Sequence, residues 1–304
     1  MGPAPASAAA DFTITVAAAD QTAAVLALLP ELLVADTLPA TMFVAHAIGE
    51  PSRLLGAGAV ETVVLHSHER GFHAQCRVLP AFRRAGIGRA LVQRLGSQAA
   101  AWDAQQLMSW EAVEDGPASL FMQALGFRVG YTLHHYMGLG TTSVPLFARR
   151  AARLRERERV PPGFNLLPLA ELPRAPVIAL HCREFGATRA GAATLLAQML
   201  ADPRAAALSS GLWDGRQLAG YLLGVPAGDA CELRFWASDP AYRSGWAATV
   251  LLEAFMQRGL ESGFDRARFH CNDHMLATHR VARRVGAELE AVKRGWALDL
   301  PAPA

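Results

Sequence analysis

Between Val78 and Leu95 the chain reads VLPAFRRAGIGRALVQRL. Arg83, Arg84 and Arg89 are crowded there with Gly86 and Gly88, ahead of an apolar stripe at helical spacing. A strand that runs into a tight loop and then a helix presents backbone N–H groups with no intrahelical acceptor. The helix dipole adds roughly half a positive charge at the same point. An anion is stabilised there, a phosphate above all. Gly86 and Gly88 carry no Cβ, so an anion can approach the main chain closely. Arg83 and Arg84 add charge ahead of the loop. Arg89, in the first turn, opposes the dipole but suits a neighbouring polyphosphate. These residues read as a diphosphate cradle. An ordinary tight turn would also place two glycines before a helix. The dinucleotide fingerprint needs a third glycine where Leu91 stands, and the lysine of a P-loop is missing, so neither of those sites is expected.

The elements that must hold this stretch follow from periodicity and turn residues. FTITV alternates like a strand, and Asp20 is placed to cap a helix that Pro30 ends. MFVAHAI and LLGAGAVETVVL read as strands joined by the turn GEPS, and FHAQCRV as a third. A helix from about Gly86 to Ala101 has Ile87, Ala90, Leu91 and Leu95 on one face. QLMSW is a strand, GPASLFMQAL a helix with proline in its first turn, and FRVGYTLHHYMGL closes the set. The second half repeats this order. Pro80, Arg83, Leu91 and Gly126 recur as Pro240, Arg243, Leu251 and Gly286, all displaced by 160 positions. A single displacement held over loop, helix, strand and helix predicts two copies of one fold: residues 1–145, a linker at 146–162, and residues 163–304. The linker holds six arginines and two glutamates between Arg149 and Arg159. It reads as a solvated surface helix stopped by Pro161 and Pro162. The competing reading is an arginine patch for an anionic substrate or nucleic acid.

The stretch Val78-Leu79-Pro80-Ala81-Phe82-Arg83-Arg84-Ala85-Gly86-Ile87-Gly88, followed by Ala90-Leu91, resembles the acyl-CoA signature of the GNAT acyltransferase superfamily. GPASLFMQALGF, Gly116 to Phe127, resembles the second motif of the same family. The resemblance implies an α/β (α+β) architecture, with two tandem domains that are each a mixed, splayed β-sheet flanked by helices. It implies acetyl-CoA or another acyl-CoA as co-substrate, with no metal. The main-chain N–H groups of Ile87, Gly88, Arg89 and Ala90 would hold the pyrophosphate, with Arg83, Arg84 and Gly86 around them. The pantetheine arm would pair with the strand that carries Cys76 and Val78. An N–H near Val78 would polarise the thioester carbonyl. An amine would then attack directly, with no acyl-enzyme. The acceptor, a small amine or a protein lysine, is not specified, nor is the oligomeric state. A non-catalytic acyl-CoA-binding or sensing protein is the alternative.

Amine attack needs a base, and the leaving thiolate needs a proton. The family often has a glutamate on the strand before the loop; this strand offers His73 and Gln75 instead. His73 has a suitable ordinary pKa, and Glu111 lies just beyond the next strand. Each also reads as an ordinary strand or loop residue. The family tyrosine acid is replaced by Met122, and by Ala282 in the second copy. Asp115 stands where the family often has an asparagine. Cys76 has no His or Asn partner pattern and reads as a small strand residue rather than a nucleophile.

In the ungapped register Gly86 faces Trp246, Gly88 faces Ala248, Arg84 becomes Ser244 and Arg89 becomes Thr249. Tryptophan there would crowd a phosphate, so the second copy is expected to have lost acyl-CoA. A loop shifted onto Gly245, with both copies binding, is the alternative. HCNDHMLATHR, His270 to Arg280, reads as a polar lip rather than a metal site, because His270 ends a strand.

Composition bounds the rest. A length of 304 residues is about two domains, and a net charge of +2 gives no general footprint for nucleic acid. The start MGPAPASAAADF does not read as a signal peptide, and no membrane span is expected. Four scattered cysteines point to neither disulfides nor zinc and suit a reducing cytoplasm.

Overall fold

The computed structural model describes residues 11–29, 40–61, 71–109, 111–243 and 245–301. Two compact units form, and they interleave in sequence. The first takes its described residues from 11–130 and 295–301, the second from 131–294.

The first unit begins with β1 (Phe12–Val16), α1 (Thr22–Leu28), β2 (Ala40–Ala47), β3 (Glu50–Glu61) and β4 (Gly71–Val78). It continues with α2 (Ile87–Ala101), β5 (Gln106–Ser109), α3 (Pro117–Ala124) and the first residues of β6 (Arg128–Leu139). Strands β1 to β4 are joined in order and antiparallel, whereas β4 and β5 are parallel. Both faces of the sheet are covered. Ile87, Leu91, Leu95 and Ala99 of α2 pack against Phe43, Leu55, Val60 and Leu107. On the other face Val25 and Leu29, in and just after α1, pack against Val44, Ala57 and Ala59.

The second unit holds the rest of β6, α4 (Gly140–Glu156), β7 (Asn165–Pro168), α5 (Arg174–Phe185), α6 (Arg189–Leu200), α7 (Pro203–Leu208) and β8 (Ser210–Trp213). Next come β9 (Leu218–Ala227), β10 (Ala230–Ser238), α8 (Trp246–Glu261), β11 (Arg266–Asn272), α9 (Leu276–Arg284) and the start of β12 (Glu288–Asp299). Its strand order is β6-β11-β10-β9-β8-β7. Its core is built around Trp246, Leu251 and Phe255 of α8 with Leu212, Leu222 and Ala267. The arginine-rich run expected as a linker lies largely in α4, whose Arg155 bonds Glu253 of α8 at 2.9 Å.

The interleaving has a definite form. Ala297, Leu298 and Asp299 of β12 belong to the first unit and pair with Met108, Leu107 and Gln106 of β5. Leu133 to Leu139 of β6 belong to the second unit and pair with β11. No helix among the described residues is long and apolar enough to cross a membrane.

Candidate acyl-coenzyme site and its acid–base residues

The site grows from β4. Its edge toward β3 is paired from Val78↔Gly56 to His73↔Glu61. Pairing with β5 on the other edge runs only from Gly71↔Gln106 to Ala74↔Ser109. Beyond Ala74 that edge has no strand partner among the described residues, over about 13 Å to Val78 at ~3.3 Å per residue. The Leu79 N–H donates to the Leu55 carbonyl at 2.9 Å. Main-chain groups alternate along a strand, so the N–H groups of Val78 and Cys76 face the open edge. The Val78 carbonyl accepts a hydrogen bond from Arg83 Nε at 3.1 Å, which ties the loop to the strand end. The Cys76 thiol lies on the α2 side near Gly58, and burial pushes its pKa up to about 11. Cys76 therefore contributes its backbone and not a nucleophile.

The loop after β4 makes one 3-10 turn, Pro80–Phe82, and enters α2 through Gly86. Gly86 is left-handed, with φ +84, and a Cβ there would meet nothing within 4 Å. Its glycine is needed for the backbone conformation, not for space. Gly88 is the opposite case: a Cβ would lie 3.1 Å from Phe121 of α3. The reason expected for Gly88, close approach of an anion, is replaced by packing of α3. Arg84 also adopts positive φ, at +70, a conformation that is uncommon outside glycine. The first intrahelical bond runs from the Ala90 N–H to the Gly86 carbonyl at 3.1 Å. Of the four amides expected to hold a diphosphate, Ala90 is therefore already engaged. Those of Ile87, Gly88 and Arg89 stand ahead of the ladder. Arg83, Arg84 and Arg89 are exposed around this mouth.

The acid–base candidates are less closely gathered. His73 is 2% exposed and sits where the open edge of β4 closes, with Met108 as its partner on β5. Glu111 is exposed in the bend after β5, three residues past Met108. Asp115 is exposed just before α3. Met122 packs against the α2 side of the sheet.

One residue escaped the sequence reading. Glu61, the last residue of β3, is the cross-strand partner of His73 and only 1% exposed. Neither carboxylate oxygen has a hydrogen-bond partner among the described residues. Burial raises its pKa to about 8. Alternation puts its side chain on the α1 face with Ala57 and Ala59. A charge inside the apolar run LLGAGAVETVVL was the available signal.

The second unit repeats the open edge. Pairing of β10 with β11 stops at Leu233↔Phe269, although the strands continue to Ser238 and Asn272. The Asp239 N–H donates to the Ala219 carbonyl at 2.9 Å, and Arg243 Nε donates to the Ser238 carbonyl at 3.4 Å. The helix entry corrects the ungapped register. Gly245, with φ +92, precedes α8, and Trp246 is its first residue. Trp246 therefore matches Ile87, not Gly86, and is 3% exposed in the core beside Phe164 and Tyr242. It does not crowd the mouth. Ser244, expected opposite Arg84, lies outside the described residues. The histidines of HCNDHMLATHR separate. His279 accepts or donates to the Tyr136 hydroxyl at 2.9 Å, while Asp273 bonds His134 at 2.5 Å. His270, on β11, is held down to about pKa 4, chiefly by burial. No group of three or more His, Cys, Asp or Glu among the described residues is arranged to hold a metal.

This strand edge and helix mouth can be set beside known proteins. Residues 39–129 match the family model described as an acetyltransferase (GNAT) domain. The chain has a GNAT-type fold of tandem architecture, with the family's sequence pattern in residues 39–129. A tandem GNAT protein from the clavulanic acid biosynthesis pathway, solved without AcCoA, is 18% identical. The match covers 97% of this chain and all of that one, with a TM-score of 0.61. A GCN5-related N-acetyltransferase from Sphaerobacter thermophilus is 14% identical over 96% of this chain and 97% of its own, at a TM-score of 0.56. Eis1 from Mycobacterium abscessus is 14% identical over 95% of this chain and 74% of its own, at 0.59. No curated protein sequence matches the chain.

Proposed function

We propose that the first unit binds acetyl-CoA or a related acyl-CoA and transfers its acyl group to an amine. The observation that carries this reading is the meeting of two features. The free edge of β4 offers the N–H groups of Val78 and Cys76, and it ends where three amides of α2 point out of the helix ladder. An extended arm with amide groups suits the first, and a linked pair of phosphates suits the second. Ile87, Gly88 and Arg89 would hold the pyrophosphate, with Arg83 and Arg84 supplying charge. The thioester carbonyl would then lie along the open edge, where an N–H near Val78 would polarise it. Direct attack by the amine on the thioester carbon needs no residue acylated in passing, in accord with the raised Cys76 thiol. Similarity in fold to a GCN5-related N-acetyltransferase supports the same reaction class.

Acyl-CoA binding without transfer is the second reading, favoured by Met122 at the place of the family's tyrosine acid. Release of CoA thiol from acetyl-CoA, followed with an amine panel, separates the two. Transfer predicts amine-dependent thiol release that stops in Gly86→Val. Coenzyme binding with no release from any amine would sustain the second reading, and no coenzyme binding would remove both. A reducing, cytoplasmic setting suits the four cysteines, all of which are free.

A further inference from the structure

Resting on the reading of an open strand edge as a place for a pantetheine arm, we infer that the second unit docks an acidic carrier protein through the outer arginines of α4. This partner would present its acyl group on a pantetheine arm with a single phosphate. The arginine-rich run belongs to that unit. Arg155 turns toward α8 and bonds Glu253 at 2.9 Å. Arg149, Arg153 and Arg157 do otherwise. They recur every four residues, so they share one flank of the helix and follow one another at about 6 Å along its axis. All three are exposed, and none has an ion pair among the described residues. Another side of α4 holds Ser143, Phe147 and Ala151 in the core. The helix dipole favours cations in the last turn, which accounts for Arg153 and Arg155 but not for a row that starts at Arg149.

The row selects its partner by shape and charge. A guanidinium pairs with a carboxylate through two parallel N–H···O bonds. Carboxylates four residues apart on a partner helix repeat at the same pitch as the arginines. A nucleic acid needs a wide basic field, and the chain has a net charge of only +2. Insertion into lipid needs apolar side chains beside the cations, and no large apolar residue of α4 is exposed. An acidic helix is the complement that remains.

The row also starts beside the α8 mouth. Arg150, next to Arg149, brings Nη2 to 4.0 Å from the place of a Gly245 Cβ. Arg155 meets Glu253 about two turns into α8, so the helices run side by side in one direction. The mouth follows β10 after one 3-10 turn, and the edge of β10 toward β11 has no partner beyond Leu233 among the described residues. Charge at the mouth sets the kind of arm. In the first unit Arg83, Arg84 and Arg89 are exposed around it, a number that suits two linked phosphates. In the second, Arg243 is taken by Glu184, and Arg183 by Asp239 at 2.8 Å. Arg150 is left, and one guanidinium suits one phosphate. The carrier helix would lie on the row, its phosphate at Arg150 and its arm along β10.

The test titrates a bacterial acyl carrier protein, in its apo and holo forms, into the full chain and two variants. The holo form is expected to bind at least tenfold more tightly than the apo form. The triple change Arg149→Glu, Arg153→Glu and Arg157→Glu should weaken both at least tenfold, as should about 0.5 M sodium chloride for the unaltered chain. Arg150→Ala should weaken the holo form and leave the apo form unchanged, a split that a merely structural role would not give. Acetyl-CoA affinity and the far-ultraviolet spectrum should be unaltered in the triple variant as proof of fold. No binding of the holo form, equal binding of the two forms, or full affinity in the triple variant would each overturn the inference. So would tighter binding of a DNA duplex or of phosphatidylglycerol vesicles than of the holo form. A chain that binds acetyl-CoA but no carrier loses this inference alone, whereas one that binds neither loses the acyl-coenzyme reading as well.

Discussion

Gly56 and Gly220 occupy the same place in the two units. A Cβ on either would meet the carbonyl of the neighbouring strand, at 2.8 Å from Arg77 and 2.7 Å from Ala237. Counted from these glycines, the pair Glu61 and His73 corresponds to Val225 and Glu232. Each unit thus has a carboxylate at the closed end of its open edge, but on opposite strands. Glu232 lies 2.9 Å from the Arg234 guanidinium and 4.0 Å from His270 Nδ1. Glu61 has no such cation among the described residues and is held neutral by burial. A carboxylate with its own arginine is electrically complete, whereas a buried one without a cation stays protonated at neutral pH.

The helix mouths differ by a single residue. Strand end and 3-10 turn repeat at a displacement of 160, from Pro80 to Pro240, but the helices begin 159 apart, at Ile87 and Trp246. The first loop uses the additional residue where Arg84 turns left-handed, and it keeps Arg89 where the second helix has Ala248. Near the second mouth a guanidinium nitrogen comes from α4: Arg150 lies 4.0 Å from the place of a Gly245 Cβ. The tryptophan therefore does not separate the two mouths. What separates them is charge carried in the loop against charge brought by a neighbouring helix.

The carboxylate contrast makes the largest prediction. The Glu61 pKa is raised by folding from its ordinary 4.5 to about 8, so the folded state holds the proton more tightly. Stability from this group is full below pH 4.5 and is lost as pH rises through 8. At ~1.4 kcal/mol per pH unit the loss is at most about 5 kcal/mol. Denaturant titrations from pH 4 to 9 should show the decline, and Glu61→Gln should flatten it. Glu232→Gln should not, and an equal effect of the two would erase the distinction. Next in size, Trp246→Ala is expected to destabilise the second unit by about 3–5 kcal/mol, as loss of a core ring. Were the ungapped register right, the same change would open a crowded mouth at little expense to stability.

How far the sequence carried this account depends on which elements tolerate a fixed displacement. Pro80 and Arg83 recur at Pro240 and Arg243 because each repeats a local bond: a 3-10 turn, and an arginine Nε on the strand-end carbonyl. The tandem fold and the first mouth were readable from such local chemistry. A one-residue difference in a loop leaves no mark in apolar periodicity, so Trp246 was placed opposite Gly86 rather than in the core. The exchange of β6 and β12 segments between units depends on pairing between distant residues, which strand patterns do not encode. Glu61 was readable as a charge within an apolar strand. Its significance came only with the register that sets it across from His73.

Smaller changes sharpen the comparison of the mouths. Gly88→Ala brings a Cβ to 3.1 Å from Phe121 and is expected to destabilise by roughly 1 kcal/mol. The matching position in the second helix is already Ala247, fully buried, so Ala247→Gly should weaken rather than relieve that helix. Thermal melts of both variants read the asymmetry. Smallest of all, Arg83→Ala and Arg243→Ala should each lose under about 1 kcal/mol, since both side chains are exposed.

The central claim is that three amides at the α2 mouth, presented through left-handed Gly86, grip the coenzyme's two phosphates. It is tested most directly by titrating acetyl-CoA into Gly86→Val by calorimetry. A β-branched residue is a backbone outlier at φ +84, although no neighbour blocks its Cβ. Affinity is expected to drop at least tenfold with the far-ultraviolet spectrum unchanged; an affinity equal to that of the unaltered chain would contradict the claim.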